Sequence, residues 1–223
     1  MEQASTESTI WQVTSDITPP NGNDSLVVTT SVVYSEGYFV VKTISGPNTT
    51  YQNGSITASA GMWHHLYVGV AAKDGDLELW VDGKLDVIVN STVVVDSLDL
   101  GCQFQLGCAD EEPSPAPPQS SPPGCFNGLL EELKVYSQIL DDCERKQAMW
   151  GQPFALDVCP GKVEKFHDEE LLVHLDFNSY NELSTAPVDI SGNGFIVSVY
   201  SSSDSDTTTV EYEFTSTFMD EIV

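Results

Sequence analysis

The sequence contains few basic residues and no long apolar run. Of its 223 residues only 8 are Lys or Arg, whereas 34 are Asp or Glu, which gives a formal net charge of −26. Such a chain repels phosphate backbones and anionic lipid headgroups, so we expect no nucleic-acid partner and no membrane-surface partner. No stretch approaches the roughly 20 apolar residues of a membrane-spanning helix, so we expect no membrane insertion either.

The sequence also lacks the motifs of common enzymes. It has no G-x-S-x-G, no metalloprotease helix motif and no phosphate-binding glycine loop. Glycoside hydrolysis needs two carboxyl groups that flank the scissile bond. Glu131 and Glu132 are consecutive, so on a strand they would point to opposite sides. We therefore expect a protein that is not an enzyme.

The first residues lack the basic and apolar regions of a secretory signal peptide, yet other features are typical of an extracellular protein. Four N-x-Ser/Thr sequons lie in polar, turn-rich sequence and predict N-linked glycosylation. Their asparagines are Asn23, Asn48, Asn53 and Asn90. We expect an extracellular or cell-surface location, with the signal peptide removed or the numbering beginning inside a longer precursor.

Five cysteines occur, all between Cys102 and Cys159. Cys108 and Cys125 bracket a Pro-rich insert, and a disulfide across it would suit an oxidising compartment. A disulfide between Cys143 and Cys159 would cross-link the segment that follows, which leaves Cys102 unpaired. The sequence leaves the connectivity open. No Cys/His spacing indicates a zinc site.

Short apolar runs recur between Gly, Asn, Asp and Ser clusters, a pattern typical of an all-β sandwich. In the run DLELWVDGKLDVIVN, Asp82-Gly83 predicts a tight hairpin turn with positive φ. Alternation then predicts that the apolar residues share one side of the strand before this turn and one side of the strand after it. These residues are Leu77, Leu79 and Val81 before the turn and Leu85, Val87 and Val89 after it.

One segment predicts a helix. The residues Asp141 to Trp150 begin with acidic residues and continue with basic ones, as a capped helix prefers. The Pro-rich stretch at residues 113–123 predicts an extended, solvated loop. Residues 151–170 combine Gly, Pro and charge without periodicity, which indicates a linker.

Two blocks of the chain resemble laminin-G-like domains, which belong to the concanavalin A-like, pentraxin-related sandwiches. The blocks are GMWHHLYVGVAAKDGDLELWVDGKL, with its W-H-H and W-V-D-G motifs, and CFNGLLEELKVYSQILDDCE, with its F-N-G-L and V-Y motifs. The resemblance implies a jelly-roll sandwich of two antiparallel sheets. It also implies binding to glycans or proteins, and to Ca²⁺ in many members.

The C-terminal segment resembles the first strands of a domain of the same family. LLVHLDFN, DISGNG and YEFTSTFMDEIV follow the family's opening order, and the next family strand resembles TIWQVTSDITPP near the N-terminus. We therefore predict that residues 1–150 form a laminin-G-like sandwich that lacks its first strands. Residues 151–170 form the linker, and residues 171–223 supply opening strands that complete the same or the next subunit. A slice of a tandem array would give the same pattern.

A sandwich without its first strands exposes unpaired backbone groups. Strand donation to the next copy is head-to-tail and produces an open filament. We therefore expect a structural extracellular glycoprotein, a homo-oligomer that self-assembles by C-terminal strand donation into a filament or surface array. The alternative is a carbohydrate-binding or cell-adhesion lectin-like module that depends on calcium, with the C-terminal strands closing their own sandwich.

Asp189, Asn193 and Glu132 are the predicted Ca²⁺ ligands, because carboxylate and amide oxygens at short spacing suit this cation. The alternative is a glycine turn in which Asp189 bonds its own backbone.

Aromatic and histidine residues precede and follow the predicted hairpin. Trp63 is expected to face the core with one of His64 and His65 buried and hydrogen-bonded, since neighbours on a strand face opposite sides. The alternative is a ligand or catalytic role for these histidines. Tyr67 and Trp80 would either pack in the core or form a sugar-stacking platform. The sequence leaves the ligand-binding residues unknown.

Overall fold

The structure, a computed structural model of the chain, describes residues 7–17, 26–70, 76–90, 103–107, 124–150, 171–180, 187–193, 196–202 and 209–215. These residues form antiparallel sheets and a single short helix, so the predicted all-β class is confirmed. The jelly-roll order of the strands stays a prediction.

Fourteen strands and one helix are described, in the following order along the chain. They are β1 (Ser8–Ile17), β2 (Leu26–Ser35), β3 (Tyr38–Ser45), β4 (Asn48–Thr57), β5 (Leu66–Val70), β6 (Leu77–Val81), β7 (Lys84–Val89), β8 (Gln103–Leu106), β9 (Gly124–Cys125), β10 (Leu133–Tyr136), α1 (Asp142–Trp150), β11 (Leu171–Tyr180), β12 (Pro187–Asp189), β13 (Ile196–Ser202) and β14 (Thr209–Thr215). The helix is too short and too polar to span a membrane, and the described residues contain no helix that is long and apolar enough to do so.

The chain divides into two compact units. The large-sheet unit comprises Met1–Gly61, Val95–Leu129 and Ile196–Thr215, and the two-sheet unit comprises Met62–Val94, Leu130–Phe195 and Ser216–Val223. The large-sheet unit holds an eight-stranded sheet in the order β13-β14-β8-β1-β2-β3-β4, with β9 added in parallel to β1. The two-sheet unit holds the sheets β5-β6-β7 and β10-β11-β12 together with α1.

Each unit has its own apolar core. In the large-sheet unit, consecutive apolar residues of β2 and β3 are buried, so side chains on both faces of these two central strands are shielded from water. These buried residues include Val28, Val32, Val33, Phe39, Val40 and Val41. In the two-sheet unit the buried residues are Leu77, Leu79, Val81, Val87, Leu140, Val173 and Leu175.

The β6–β7 hairpin forms as predicted at its turn but not along its second strand. Asp82 and Gly83 have φ values of +51° and +74°, which confirms the primed turn. A register shift between Leu79 and Trp80 inserts one extra residue into β7. Because such a bulge reverses the side that the next side chain faces, Val87 is 3% exposed whereas Leu85 is 42% exposed. The prediction that Leu85 lies on the same side of the strand as Val87 is therefore wrong.

The helix α1 begins with a capping box. The Asp141 carboxylate accepts hydrogen bonds from the backbone N–H groups of Cys143 and Glu144, each at 2.9 Å. The Glu144 carboxylate accepts the backbone N–H of Asp141 at 2.7 Å. These reciprocal bonds satisfy donors that a helix N-terminus leaves free, and they explain why the predicted helix begins here.

The C-terminal strands are paired in both units of this single chain. In the two-sheet unit β11 lies against β10, with Lys134 opposite His174. In the large-sheet unit β14 lies against β8, with Tyr212 opposite Leu106. β11 also contributes to a core, since Leu175 is 0% exposed. Residues 151–170, the predicted linker, lie outside the described residues.

Candidate functional site

The turn between β6 and β7 carries a carboxylate that binds the segment before β5. Nδ1 of His64 donates to the Asp82 carboxylate at 2.9 Å, and the backbone N–H of His65 donates to its other oxygen at 2.9 Å. In return, the backbone N–H of Asp82 donates to the carbonyl of His65 at 2.9 Å. Burial raises the pKa of Asp82, but the bonds from His64 and His65 outweigh it and hold that pKa below its ordinary value. The folded chain therefore favours the ionised carboxylate.

The His65 imidazole, beside the turn that carries Asp82, has one buried nitrogen, Nδ1, without a hydrogen-bond partner among the described residues. Burial lowers the pKa of His65, the Asp82 charge raises it by less, and the charge of Lys134 lowers it further. The ring is therefore neutral at pH 7, and protonation would place a charge in a site that does not solvate it.

A second histidine–carboxylate pair joins the start of β10 to β11. The Glu132 carboxylate accepts hydrogen bonds from Nζ of Lys134 at 2.9 Å and from Nε2 of His174 at 3.0 Å. Burial raises the pKa of Glu132, but the bonds from Lys134 and His174 outweigh it and set the pKa below its ordinary value. This pair links an upstream strand to a C-terminal one through side chains as well as through the backbone ladder.

The DISGNG turn is folded around its own Asp and Ser. Oδ1 of Asp189 accepts the backbone N–H groups of His174 and Ser191, each at 3.0 Å, and Oδ2 accepts the Ser191 hydroxyl at 2.9 Å. The side-chain amide of Asn193 donates to two backbone carbonyls at the start of β11, at 2.7 and 3.0 Å. These contacts match the alternative in which Asp189 stabilises its own turn.

The structure connects two of the three predicted Ca²⁺ ligands, Asp189 and Glu132, through His174, whereas Asn193 bonds the carbonyls of Leu171 and Leu172. Asp189 contacts the backbone N–H of His174 and Glu132 contacts its ring. Within the described ranges, no three His, Cys, Asp or Glu side chains are arranged to hold a metal ion. The Lys134 ammonium, 2.9 Å from Glu132, would also repel a second cation. In this arrangement the residues fit calcium poorly, and the calcium site stays a prediction.

The rings of Tyr67 and Trp80 lie beneath an arginine of α1. The Arg145 guanidinium lies 3.9 Å from the centre of the Trp80 ring and 5.5 Å from that of Tyr67. Its Nη1 donates to the carbonyl of Leu140 at 2.7 Å, and the Leu140 N–H donates to the Tyr67 hydroxyl at 3.0 Å. The arginine occupies one face of the predicted sugar platform, so these aromatic rings hold the helix against the sheet.

Trp63 is exposed, and the prediction that it faces the core is wrong. Its exposed fraction is 62%, and that of the preceding Met62 is 70%. The strand β5 begins only at Leu66, so strand alternation does not apply to Trp63. Gly61, with φ +79°, is the sequence signal for a turn at this point. The result is an exposed aromatic ring one residue from the His64–Asp82 pair.

Three of the four predicted glycosylation sites lie in the described residues. The side chains of Asn48, Asn53 and Asn90 are exposed, whereas Asn23 lies outside the described residues. Exposure permits modification, and glycosylation itself stays a prediction.

The disulfide predictions fall mostly on undescribed side chains. Cys143 takes part in a disulfide bond. The side chains of Cys108, Cys125 and Cys159 lie outside the described residues, so the predicted pairings stay predictions.

Comparison with known proteins gives no match to a protein-family model, to a curated protein or to a solved structure. The resemblance to laminin-G-like domains therefore stays a prediction, and the function must be argued from the contacts described above.

Proposed function

We propose that this chain is a non-enzymatic, extracellular structural module that self-assembles by exchanging its C-terminal strands between copies. The observation that supports this proposal is the pairing of β11 with β10, in which Val173 and Leu175 are buried and His174 bonds Glu132. Because β11 supplies both core residues and side-chain bonds, its loss would destabilise the sheet. The same contacts would form equally well with a strand from a second copy.

The balance between closure and exchange depends on concentration. A linker of the kind that the sequence predicts for residues 151–170 would hold the C-terminal strands near their own sheets at an effective concentration on the order of mM. The 20 residues from 151 to 170 can reach about 65 Å when extended, which suffices for either route. We therefore propose that the closed form prevails in dilute solution and that head-to-tail exchange builds filaments where the protein is crowded, as on a cell surface.

Disulfide trapping across the β10–β11 pair tests this proposal. Lys134 and His174 are direct partners in the ladder, so a Lys134→Cys, His174→Cys double variant has the spacing that a disulfide needs. Oxidation at low concentration should give a cross-linked monomer, and oxidation at high concentration should give a covalent ladder on a non-reducing gel.

The two single-cysteine variants are the matched controls, because they show the background from the five native cysteines. A double variant that forms no cross-link contradicts the β10–β11 pairing. One that yields only cross-linked monomer at every concentration contradicts exchange.

A second candidate function is carbohydrate binding, and the exposure of Trp63 favours it. An exposed indole can stack on the C–H face of a sugar. Trp63 directly precedes His64, and the His64 ring bonds the Asp82 carboxylate. This carboxylate would accept hydrogen bonds from sugar hydroxyl groups. Glycan-array binding that is lost in Trp63→Ala but kept in Tyr51→Ala, an exposed aromatic of the other unit, would support this candidate. Loss of binding in EDTA would support its calcium dependence.

A further inference from the structure

The sequon asparagines that the structure describes share one position in the fold, which is the edge of a sheet. Asn48 and Asn53 lie on β4, the last strand of the eight-stranded sheet. Asn90 directly follows β7, the last strand of the β5-β6-β7 sheet. All three side chains are exposed. Nothing in the acceptor motif itself requires an edge, so the coincidence calls for a physical reason.

The strand β4 lacks the usual protection of an edge. Edge strands expose unpaired N–H and C=O groups, and proteins normally blunt them with charged residues or proline. The ten residues NTTYQNGSIT contain neither, although the chain as a whole carries 34 acidic residues. Within the described residues, β4 pairs with β3 alone. The edge of a highly charged protein is thus left uncharged where another strand could add.

The exposure of β4 on both faces makes this edge more prone to pair with a strand of another chain. The residues from Asn48 to Asn53 are all exposed, so neither face of this part of the strand is buried. A strand that is polar on both faces specifies its register weakly and accepts alternate partners. The neighbouring β3, in contrast, buries Phe39, Val40 and Val41.

The two sequons place their side chains on both sides of the edge. Asn48 lies opposite Ser45 and Asn53 opposite Val40, with an unbroken register between them. Their separation of five residues is odd, and side chains alternate along a strand, so the two asparagines face opposite sides of the sheet. A bulky group on each would flank the backbone edge from above and below.

We propose that N-linked glycans on Asn48 and Asn53 shield the β4 edge and prevent the large sheet from adding a strand of another chain. In the modification, the side-chain amide nitrogen forms a bond to C1 of the first sugar of a lipid diphosphate-linked oligosaccharide. The bond from C1 to the diphosphate oxygen breaks, the amide loses one proton, and the lipid diphosphate leaves. This inference rests on the secretory location in the proposed function but not on strand exchange.

The test compares three forms of the full chain, secreted from a glycosylating host behind an added signal peptide. Intact mass should show one glycan at each of Asn48 and Asn53 in the unmodified sequence. The Asn48→Gln, Asn53→Gln variant removes both sugars without adding charge. We expect light scattering after size exclusion to show its apparent mass rising by about twofold or more at a concentration where the glycosylated protein is monomeric.

The matched control is the Asn48→Lys, Asn53→Lys variant, which lacks the sugars but carries the charges that normally protect an edge. It should stay monomeric. The proposal is overturned if either asparagine carries no glycan, if the Gln variant stays monomeric, or if the Lys variant associates as strongly as the Gln variant, which would indicate lost folding. The Lys134→Cys, His174→Cys cross-link, measured in all three forms, reports strand exchange separately, so failure of one proposal leaves the other measurable.

Discussion

The two units of this chain use different physical means to hold their strands. In the large-sheet unit, β1 to β4 are eight to ten residues long and form an extended ladder with many buried valines, and the outer strand β4 carries no charge. In the two-sheet unit, the sheets contain three strands each, and all of these strands except the ten-residue β11 have three to six residues. Ion pairs, a capping box and a stacked arginine supplement these shorter ladders, and such side-chain contacts respond to sequence and pH.

The histidines sharpen this contrast. The three described histidines, His64, His65 and His174, all lie in the two-sheet unit, and His167 lies outside the described residues. Both carboxylates with a lowered pKa, Asp82 and Glu132, lie in that unit too. The described part of the large-sheet unit has no histidine with which to sense a change between neutral and mildly acidic pH.

The largest expected effect comes from truncating the core that a C-terminal strand supplies. Leu175 is 0% exposed, so Leu175→Ala should cost the two-sheet unit about 2–5 kcal/mol of unfolding free energy. Hydrogen exchange measured by mass spectrometry should show lost protection in β10 and β11, with β2 and β3 unchanged. Val188→Ala, at a position on β12 that is 37% exposed, is the control and should change little. Equal loss of protection in β2 and β3 would show that the effect of Leu175→Ala is not confined to the two-sheet unit.

An intermediate effect is expected at the helix cap. Asp141→Ala removes the acceptor of two backbone N–H groups and should cost about 0.5–2 kcal/mol of unfolding free energy. Asp142→Ala, one residue further on, removes only surface ion pairs with Arg145 and Lys146 and should cost less. Urea unfolding of the two variants measures the difference. An equal cost for both would mean that Asp141 does not act as a cap.

The smallest expected effect is the response to mild acid. Because the pKa of His65 is lowered in the folded chain, the unfolded chain takes up a proton first as pH falls through about 6.5, and stability declines below that value. The decline should appear in hydrogen exchange of the two-sheet unit alone and should be shallower in His65→Gln. A parallel decline in β2 and β3 would contradict the contrast between the units.

A second decline is expected at lower pH. The pKa values of Asp82 and Glu132 are depressed by folding, so their contribution is present above about pH 4 and is lost as pH falls through the lower folded values. His65→Gln should leave this second decline in place, because it does not remove either carboxylate.

Local signals predicted the local structure well. The Asp82-Gly83 turn and the helix after Asp141 were both predictable, because turn chemistry and capping depend on residues close in sequence. The bulge that turns Leu85 outward was not predictable, since a register shift is fixed by the partner strand. Trp63 was misassigned because nothing in W-H-H marks where the strand begins.

Of the candidate site, the sequence predicted individual residues better than their partners. Asp189 and Asn193 were singled out, but the structure has them bond the backbone of β11 and the turn itself. The contacts of Glu132 with His174 join residues 42 positions apart, and no periodicity specifies such a pair. The proton sensitivity of His65 depends on burial, which a residue type alone does not set.

The central place of β1 has a consequence for how the chain is made. The hairpins from β1 to β4 follow one another in sequence, so this half of the large sheet can form as soon as it emerges from the ribosome. The other side of β1 must wait for β8, roughly ninety residues later, which at about 5–20 residues per second is a delay of about 5–18 s. During that interval the nascent chain leaves the backbone groups of Trp11 to Thr14, which later pair with β8, without their strand partner.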